Sequence, residues 1–375
     1  MEGTDKMRVL EVNVDDIGTG GVYALVKNVI YNKSENLDID IAAIVPFENE
    51  NNKLDLEKRN TKIFYIGAKN KIIRPFAYII KLSSLIKKNK YNCVHIHSDV
   101  SYVLLPLLLG AKIGGAKKIL LHSHAAGIDG ENRKIKLFLH LLCRKYLEQP
   151  GVTCLACSDV AAKWMYPNIS NKNIILINNG IDVEKYKYSE KVRKEIRSKL
   201  GVSDELVIGH IGRFAYQKNH NYLLEIFKHI KIREGNAKLL LIGEGPLYRE
   251  VKEKAEMMNL TDIIFVGVTD KVQDFLQAID VFVLPSFFEG LPIVGVEAQA
   301  SGVPCIFSDS ITRETKLVDE VVFLPINSES IDKWVNGIIS YKKHIRRDNS
   351  LLLVNRGFDI KKTVRNLTDL YKQKY

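Results

Sequence analysis

The chain has 375 residues, 46% of them hydrophobic and 26% charged, and carries a formal net charge of +11. That length exceeds what one hydrophobic core usually supports, so two domains are expected, and the composition is that of a globular protein, not a disordered or fibrous one. No apolar run is long enough to span a membrane, the first residues do not read as a signal peptide, and the five cysteines sit mostly in apolar runs. These features lead us to expect a cytoplasmic protein with reduced thiols.

Short apolar runs at residues 7–14, 39–45, 63–66, 93–96, 119–121, 154–157 and 174–177 read as strands. Segments of helical period or length separate most of them, the first running from the loop 15–21 to about residue 32, which argues for a parallel, doubly wound sheet. A second series begins at 206–211 and recurs at 238–242, 263–266, 281–284 and 304–307, after which the pattern turns helical at 328–341 and from 349 onward. The expected fold class is α/β, with two Rossmann-like doubly wound domains. Asn178-Asn179-Gly180-Ile181-Asp182 and the charged stretch behind it form the candidate junction.

In chain order, the loop Asp15-Asp16-Ile17-Gly18-Thr19-Gly20-Gly21 follows the first strand. Glycine lets backbone approach a phosphate or sugar closely, but Tyr23 stands where a dinucleotide fingerprint needs its third glycine. Asp38-Ile39-Asp40 has the D-x-D form used by metal-dependent sugar transferases, yet it opens a strand, at the edge away from the usual ligand site; solvated turn residues are expected. Between Lys62 and Lys145 sixteen basic residues face only Asp99, Asp129 and Glu131, a field that attracts phosphates. Within it, residues 72–88 mix aromatic, aliphatic and basic side chains, which suits an interfacial helix and equally an amphipathic helix covering the sheet. His95-Ile96-His97 and His122-Ser123-His124 end two strands, where they would line one edge of a cleft. Cys154 and Cys157 have C-x-x-C spacing but lie within a strand, on opposite faces and without a second cysteine pair, so core packing is expected and no metal site.

In the second half, Arg213 and Lys218 follow the strand 206–211, offering a planar fork and a point charge. The strand 281–284 leads through Ser286-Phe287-Phe288-Glu289-Gly290-Leu291-Pro292 into a small-residue helix expected over about 292–301. Pro292 suits its first turn, and the amides of Gly290, Leu291 and Ile293 lie where a helix N-terminus attracts phosphate. Glu289 in the loop and Glu297 on the helix would accept hydrogen bonds from hydroxyls, so the stretch suits a diphosphate flanked by two polyols.

The pattern S-x-x-E-G-L-P-x-x-x-x-E-A-x-A-x-G-x-P, with its E-x7-E spacing, resembles the signature of the retaining glycosyltransferase family 4, which has the GT-B fold of two Rossmann-like domains facing across a cleft. The resemblance implies a first domain over 1–182 that binds acceptor, a second over 183–356 that binds a nucleotide sugar, and a final helix, 357–375, crossing back to the first. Gly20 and Gly21 would line the cleft and His124 would reach the donor sugar. Arg213 and Lys218 would grip the diphosphate, Glu289 the sugar hydroxyls and Glu297 the ribose, with Val268 near the base. The implied activity is metal-independent hexosyl or N-acetylhexosaminyl transfer from a UDP-sugar, without cofactor, to a saccharide or polyprenyl-diphosphate-linked acceptor of capsule or exopolysaccharide synthesis. The basic first domain would then touch the anionic inner face of the cell membrane. A non-catalytic nucleotide-sugar-binding partner subunit is the alternative. Nucleic-acid binding has no motif in its support, and a phosphorylase would need a pyridoxal-phosphate lysine that no segment offers.

Overall fold

The computed structural model describes residues 6–16, 21–167 and 173–373. They form two compact units, one of residues 1–180 with 360–375 and one of residues 181–359. In the first, β1 (Met7–Val12), β2 (Leu37–Ala43), β3 (Ile63–Tyr65), β4 (Cys93–Ser98), β5 (Lys118–Ser123), β6 (Val152–Ala156) and β7 (Ile174–Leu176) make one sheet in the order β3-β2-β1-β4-β5-β6-β7. All its pairings are parallel. The inner strands are mostly buried, as expected where helices cover both faces and strands read as continuous apolar runs, whereas the edge strands β3 and β7 are partly exposed.

The second unit repeats the plan. Its strands are β8 (Leu206–Ile211), β9 (Ala237–Ile242), β10 (Ile263–Gly267), β11 (Val281–Leu284), β12 (Cys305–Ser308) and β13 (Val321–Leu324), in the order β10-β9-β8-β11-β12-β13 and again parallel. In each sheet the winding reverses at the first strand of the series, between β1 and β4 and between β8 and β11. Ligands of open α/β sheets bind at the carboxyl ends of strands flanking such a reversal. The sequence reading did not anticipate β13, a four-residue edge strand.

The chain returns to the first unit through the helix Ile360–Lys372, which buries Ile360, Val364, Leu367 and Tyr371 at helical spacing beside Val9, Leu25 and Val29. Just before it, Ile181 donates to the Phe358 carbonyl (2.9 Å), and the Thr363 hydroxyl donates to the Asn178 carbonyl (2.9 Å), so each unit fastens the departing and the returning segment together.

One expectation needs adjustment. Asp40 is not a solvated turn residue. It lies inside β2, is buried, and accepts hydrogen bonds from the Tyr91 hydroxyl (2.8 Å) and the Lys62 amide (3.0 Å), because β2 begins at Leu37 and brings that side chain between neighbouring elements. The helix Arg74–Asn89 is amphipathic: Tyr78, Leu82 and Ile86 are buried, while Phe76 and Ile80 are each 66% exposed. None of the five cysteines, all among the described residues, is in a disulfide, and Cys154 and Cys157 are buried.

Replacing Leu367 by Ala should lower stability by about 3 kcal/mol, the usual cost of a buried leucine-sized cavity. Urea unfolding followed by circular dichroism measures it, and no change would mean that the return helix is only laid on the surface.

Candidate active site

In the second unit the loops after β8 and β11 meet. The Lys218 ammonium lies 2.7 Å from Glu289 Oε1, and the Gln217 amide donates to Glu289 Oε2 (2.9 Å) and to the Phe288 carbonyl (3.1 Å). The Phe287 amide returns a bond to the Gln217 carbonyl (2.9 Å), and the Tyr216 and Phe287 rings stack at 4.6 Å. Glu289 is 6% exposed. A carboxylate so enclosed is tolerable because a cation and an amide share it; removing either partner leaves a desolvated charge.

Glycines make this approach possible. A Cβ on Gly212 would lie 2.9 Å from Lys218 Cε, and one on Gly243 (φ +130°) would lie 2.2 Å from the Gly212 carbonyl oxygen. The Gly-Glu-Gly-Pro turn after β9 therefore packs backbone to backbone against the loop carrying Arg213. Arg213 is exposed at the end of β8, and Val268 is 46% exposed just past β10.

The small-residue helix runs Ile293–Ala300. Pro292 stands immediately before it as the N-cap with ψ 110°, not inside its first turn, and Gly290 and Leu291 are buried. Glu297, on the helix, accepts a hydrogen bond from the Tyr186 hydroxyl (2.7 Å). Burial raises its carboxyl above the ordinary value, and the Tyr186 bond opposes that rise.

The first unit holds a second constellation. Alternate residues of a strand share a face, and register sets Glu11 beside His95 and His97 beside His122. His97 Nε2 lies 2.6 Å from Glu11 Oε2 and its Nδ1 lies 2.8 Å from His124 Nε2. His95 Nδ1 lies 3.0 Å from Glu11 Oε2 and its Nε2 lies 3.2 Å from His122 Nδ1, while the Tyr371 hydroxyl donates to Glu11 Oε1 (2.8 Å). His95, His97 and His122 offer nitrogens within 4.8 Å of one another, as a metal site would require, but this network already engages both nitrogens of His95 and of His97.

Burial would raise the Glu11 carboxyl, yet attraction and hydrogen bonds from His95 and His97 hold it well below the usual carboxylate range. Burial pushes His97 down to about 4, and pushes His122 and His124 well below their ordinary value, helped by the neighbouring imidazoles.

Of the residues singled out in sequence, Lys218 and Glu289 are in contact, Arg213 and the segment 290–293 flank them, and Glu297 lies one turn into the helix. Gly21 and His124 belong to the first unit, where Gly21 opens the helix Gly21–Asn32 in open space; Gly20 lies outside the described residues. Sequence reading missed Gln217, Tyr186 and Glu11. Glu11 alone left a signal, a charge inside the otherwise apolar run of the first strand.

Two units, each built on a parallel doubly wound sheet, have the layout of a GT-B sugar transferase. The family model "Glycosyltransferase Family 4" matches residues 36–185 and "Glycosyl transferases group 1" matches residues 192–349. The "Putative glycosyltransferase EpsF" of Bacillus subtilis (strain 168) is 31% identical over 382 residues, covering 98% of this chain and 97% of that one. The Escherichia coli UDP-Gal:alpha-D-GlcNAc-diphosphoundecaprenol alpha-1,3-galactosyltransferase is 29% identical over 321 residues, 80% of each chain. Among solved structures, Anabaena Alr3699/HepE in complex with UDP and glucose matches with a TM-score of 0.78 at 15% identity, over 98% of this chain and 100% of that one. The chain belongs to glycosyltransferase family 4, and it is a transferase with the GT-B fold.

The neutral buried histidines fix a pH dependence. Their native proton affinity is lowered, so below pH 6.5 the unfolded chain binds protons that the native chain refuses; their share of stability is intact above that pH and declines as pH falls toward about 4. Each histidine should contribute about 1.4 kcal/mol per pH unit within the window. Urea titrations at pH 7, 6 and 5 should show falling stability, and a flat profile would contradict the neutral assignment.

Proposed function

We propose that this transferase moves a hexosyl or N-acetylhexosaminyl group, with retention of configuration, from a UDP-sugar to a saccharide acceptor. The observation that carries the reading is the Lys218–Glu289 pair at the carboxyl ends of the neighbouring strands β8 and β11, ahead of the helix Ile293–Ala300. A diphosphate at that helix N-terminus meets the charge of Lys218 and Arg213, and the sugar beyond it meets Glu289.

In the proposed step the bond between the anomeric carbon and the β-phosphate oxygen breaks. The acceptor hydroxyl attacks from the same face, and its proton passes to the departing phosphate. Charge grows on the UDP oxygens, and Arg213, Lys218 and the amides of 290–293 stabilise it without a metal. Glu297 holds the ribose, Val268 flanks the base, and residues 183–356 serve as the donor domain. The first domain, residues 1–182 with the return helix, receives the acceptor, and His124 meets the transferred sugar. UDP complexes of a structural neighbour and the name of the Escherichia coli relative support the donor class and a diphosphate-lipid-linked acceptor of capsule or exopolysaccharide synthesis.

An acceptor of that kind lies at a membrane, and two helices of the first unit suit one. Arg133–Cys143 buries only His140 and exposes Ile135 and Phe138 at 63% and 66%, among Arg133, Lys134 and Lys136. Arg74–Asn89 presents Phe76 and Ile80 beside Lys87 and Lys88. Apolar anchors set among cations fit an anionic bilayer surface. No helix among the described residues is long and apolar enough to cross a membrane, so the contact would be peripheral.

Three measurements test the reading. A thermal-shift panel of nucleotide sugars should raise the melting temperature with a UDP-sugar. Glu289→Ala should lower donor turnover at least a hundredfold while the fold persists; unchanged turnover would refute the site. The protein should sediment with phosphatidylglycerol vesicles at low salt and release at high salt, and reversing Lys87 and Lys88 should weaken it; no sedimentation would remove the membrane contact.

A further inference from the structure

Tyr186 ends the turn Val183–Tyr186 and is buried. The turn packs against the helices Ile293–Ala300, Val272–Ala278 and Ser350–Asn355, all in the second unit, so the ring is held by neighbours on several elements. A phenylalanine would fill that place as well, and what the tyrosine adds is one hydroxyl. Its hydrogen bond goes to Glu297 Oε1 at 2.7 Å. Burial holds the phenol well above its ordinary value, so Tyr186 keeps its proton and donates. Glu297 is only half-buried, and its Oε2 meets no hydrogen-bond partner among the described residues. The charge of Lys185 attracts the carboxylate without bonding to it.

We propose that Tyr186 is a positioning residue for the nucleotide: its hydroxyl takes Glu297 Oε1 and holds the carboxylate so that Oε2 stays presented, as an acceptor, to the ribose hydroxyls of the donor. The inference rests on the reading of Glu297 as the group that holds the ribose. Tyr186 itself does not touch the nucleotide. An ionised carboxylate accepts and never donates, so a ribose hydroxyl that meets it must donate, and the bond is charge-assisted. Without the Tyr186 hydroxyl the carboxylate loses the donor that fixes it, in a place where burial already disfavours its charge. Its side chain can then turn away, and ordering it again when the nucleotide arrives costs affinity. That cost falls on the ribose contact alone.

The test uses the full-length protein and two probes, UDP and 2′,3′-dideoxyuridine 5′-diphosphate, which lacks both ribose hydroxyls. The wild type should prefer UDP by about tenfold or more, the effect expected of hydrogen bonds to a charged group. Tyr186→Phe keeps the ring and its packing, and should cut that preference to about threefold or less by weakening UDP while leaving the dideoxy probe almost unchanged. A merely structural role would weaken both probes alike. Glu297→Ala should abolish the preference, and adding Tyr186→Phe to it should change nothing further, because the hydroxyl no longer has a carboxylate to hold. Full wild-type preference in Tyr186→Phe, an equal loss for both probes, or an undiminished effect of Tyr186→Phe in the Glu297→Ala background overturns the proposal; if Glu297→Ala alone still abolishes the preference, the ribose reading survives that failure. Equal affinity of the wild type for the two probes, or no binding of UDP, takes down the ribose reading and the role of Tyr186 with it.

Discussion

A carboxylate buried to within 6% of full enclosure has to be matched by positive charge, and at Glu289 that charge is Lys218, 2.7 Å away. This constraint organises the second unit. It joins the loop after β8 to the loop after β11, which are adjacent strands far apart in sequence, and it draws in Gln217 to fill the second carboxylate oxygen. It holds the Lys218 cation and a carboxylate acceptor side by side ahead of the helix Ile293–Ala300. Glu289 takes one of the three N–H groups of the Lys218 ammonium.

The first unit solves a comparable problem differently. Glu11 lies deep in the sheet, and among the described residues its hydrogen-bond partners are two imidazoles and a tyrosine hydroxyl, with no lysine or arginine. Hydrogen-bond donors of modest polarity can stabilise a buried carboxylate when several converge on it. Because Tyr371 comes from the return helix, the last turn of the chain closes a network that begins in the first strand, and the helix belongs structurally to the unit where the chain started.

How much of this was legible in sequence follows from the length scale of each signal. The parallel sheets were readable because strands covered on both faces must be continuous apolar runs, and 281–284 or 206–211 allow little else. Asp40 misled, because the same two acids read as solvated when only the chain's own neighbours are considered, and Tyr91 lies fifty-one residues away. Tyr186 left no trace, since a single tyrosine in a charged stretch carries no periodic mark. The partner of Glu297 is found only where the turn Val183–Tyr186 folds beside the helix Ile293–Ala300.

The sequence by itself determined the fold class, the strand series and the family, because these depend on local periodicity and on a dense motif whose spacing within one loop and one helix is covalently fixed. Tertiary structure alone decided which charges meet. Strand order places β8 beside β11 and β1 beside β4, and only that adjacency brings Lys218 to Glu289 and Glu11 to His97. Electrostatic partnership falls off within a few ångströms, whereas the residues concerned are separated by seventy or more positions of chain, so no pattern read along the sequence can contain it.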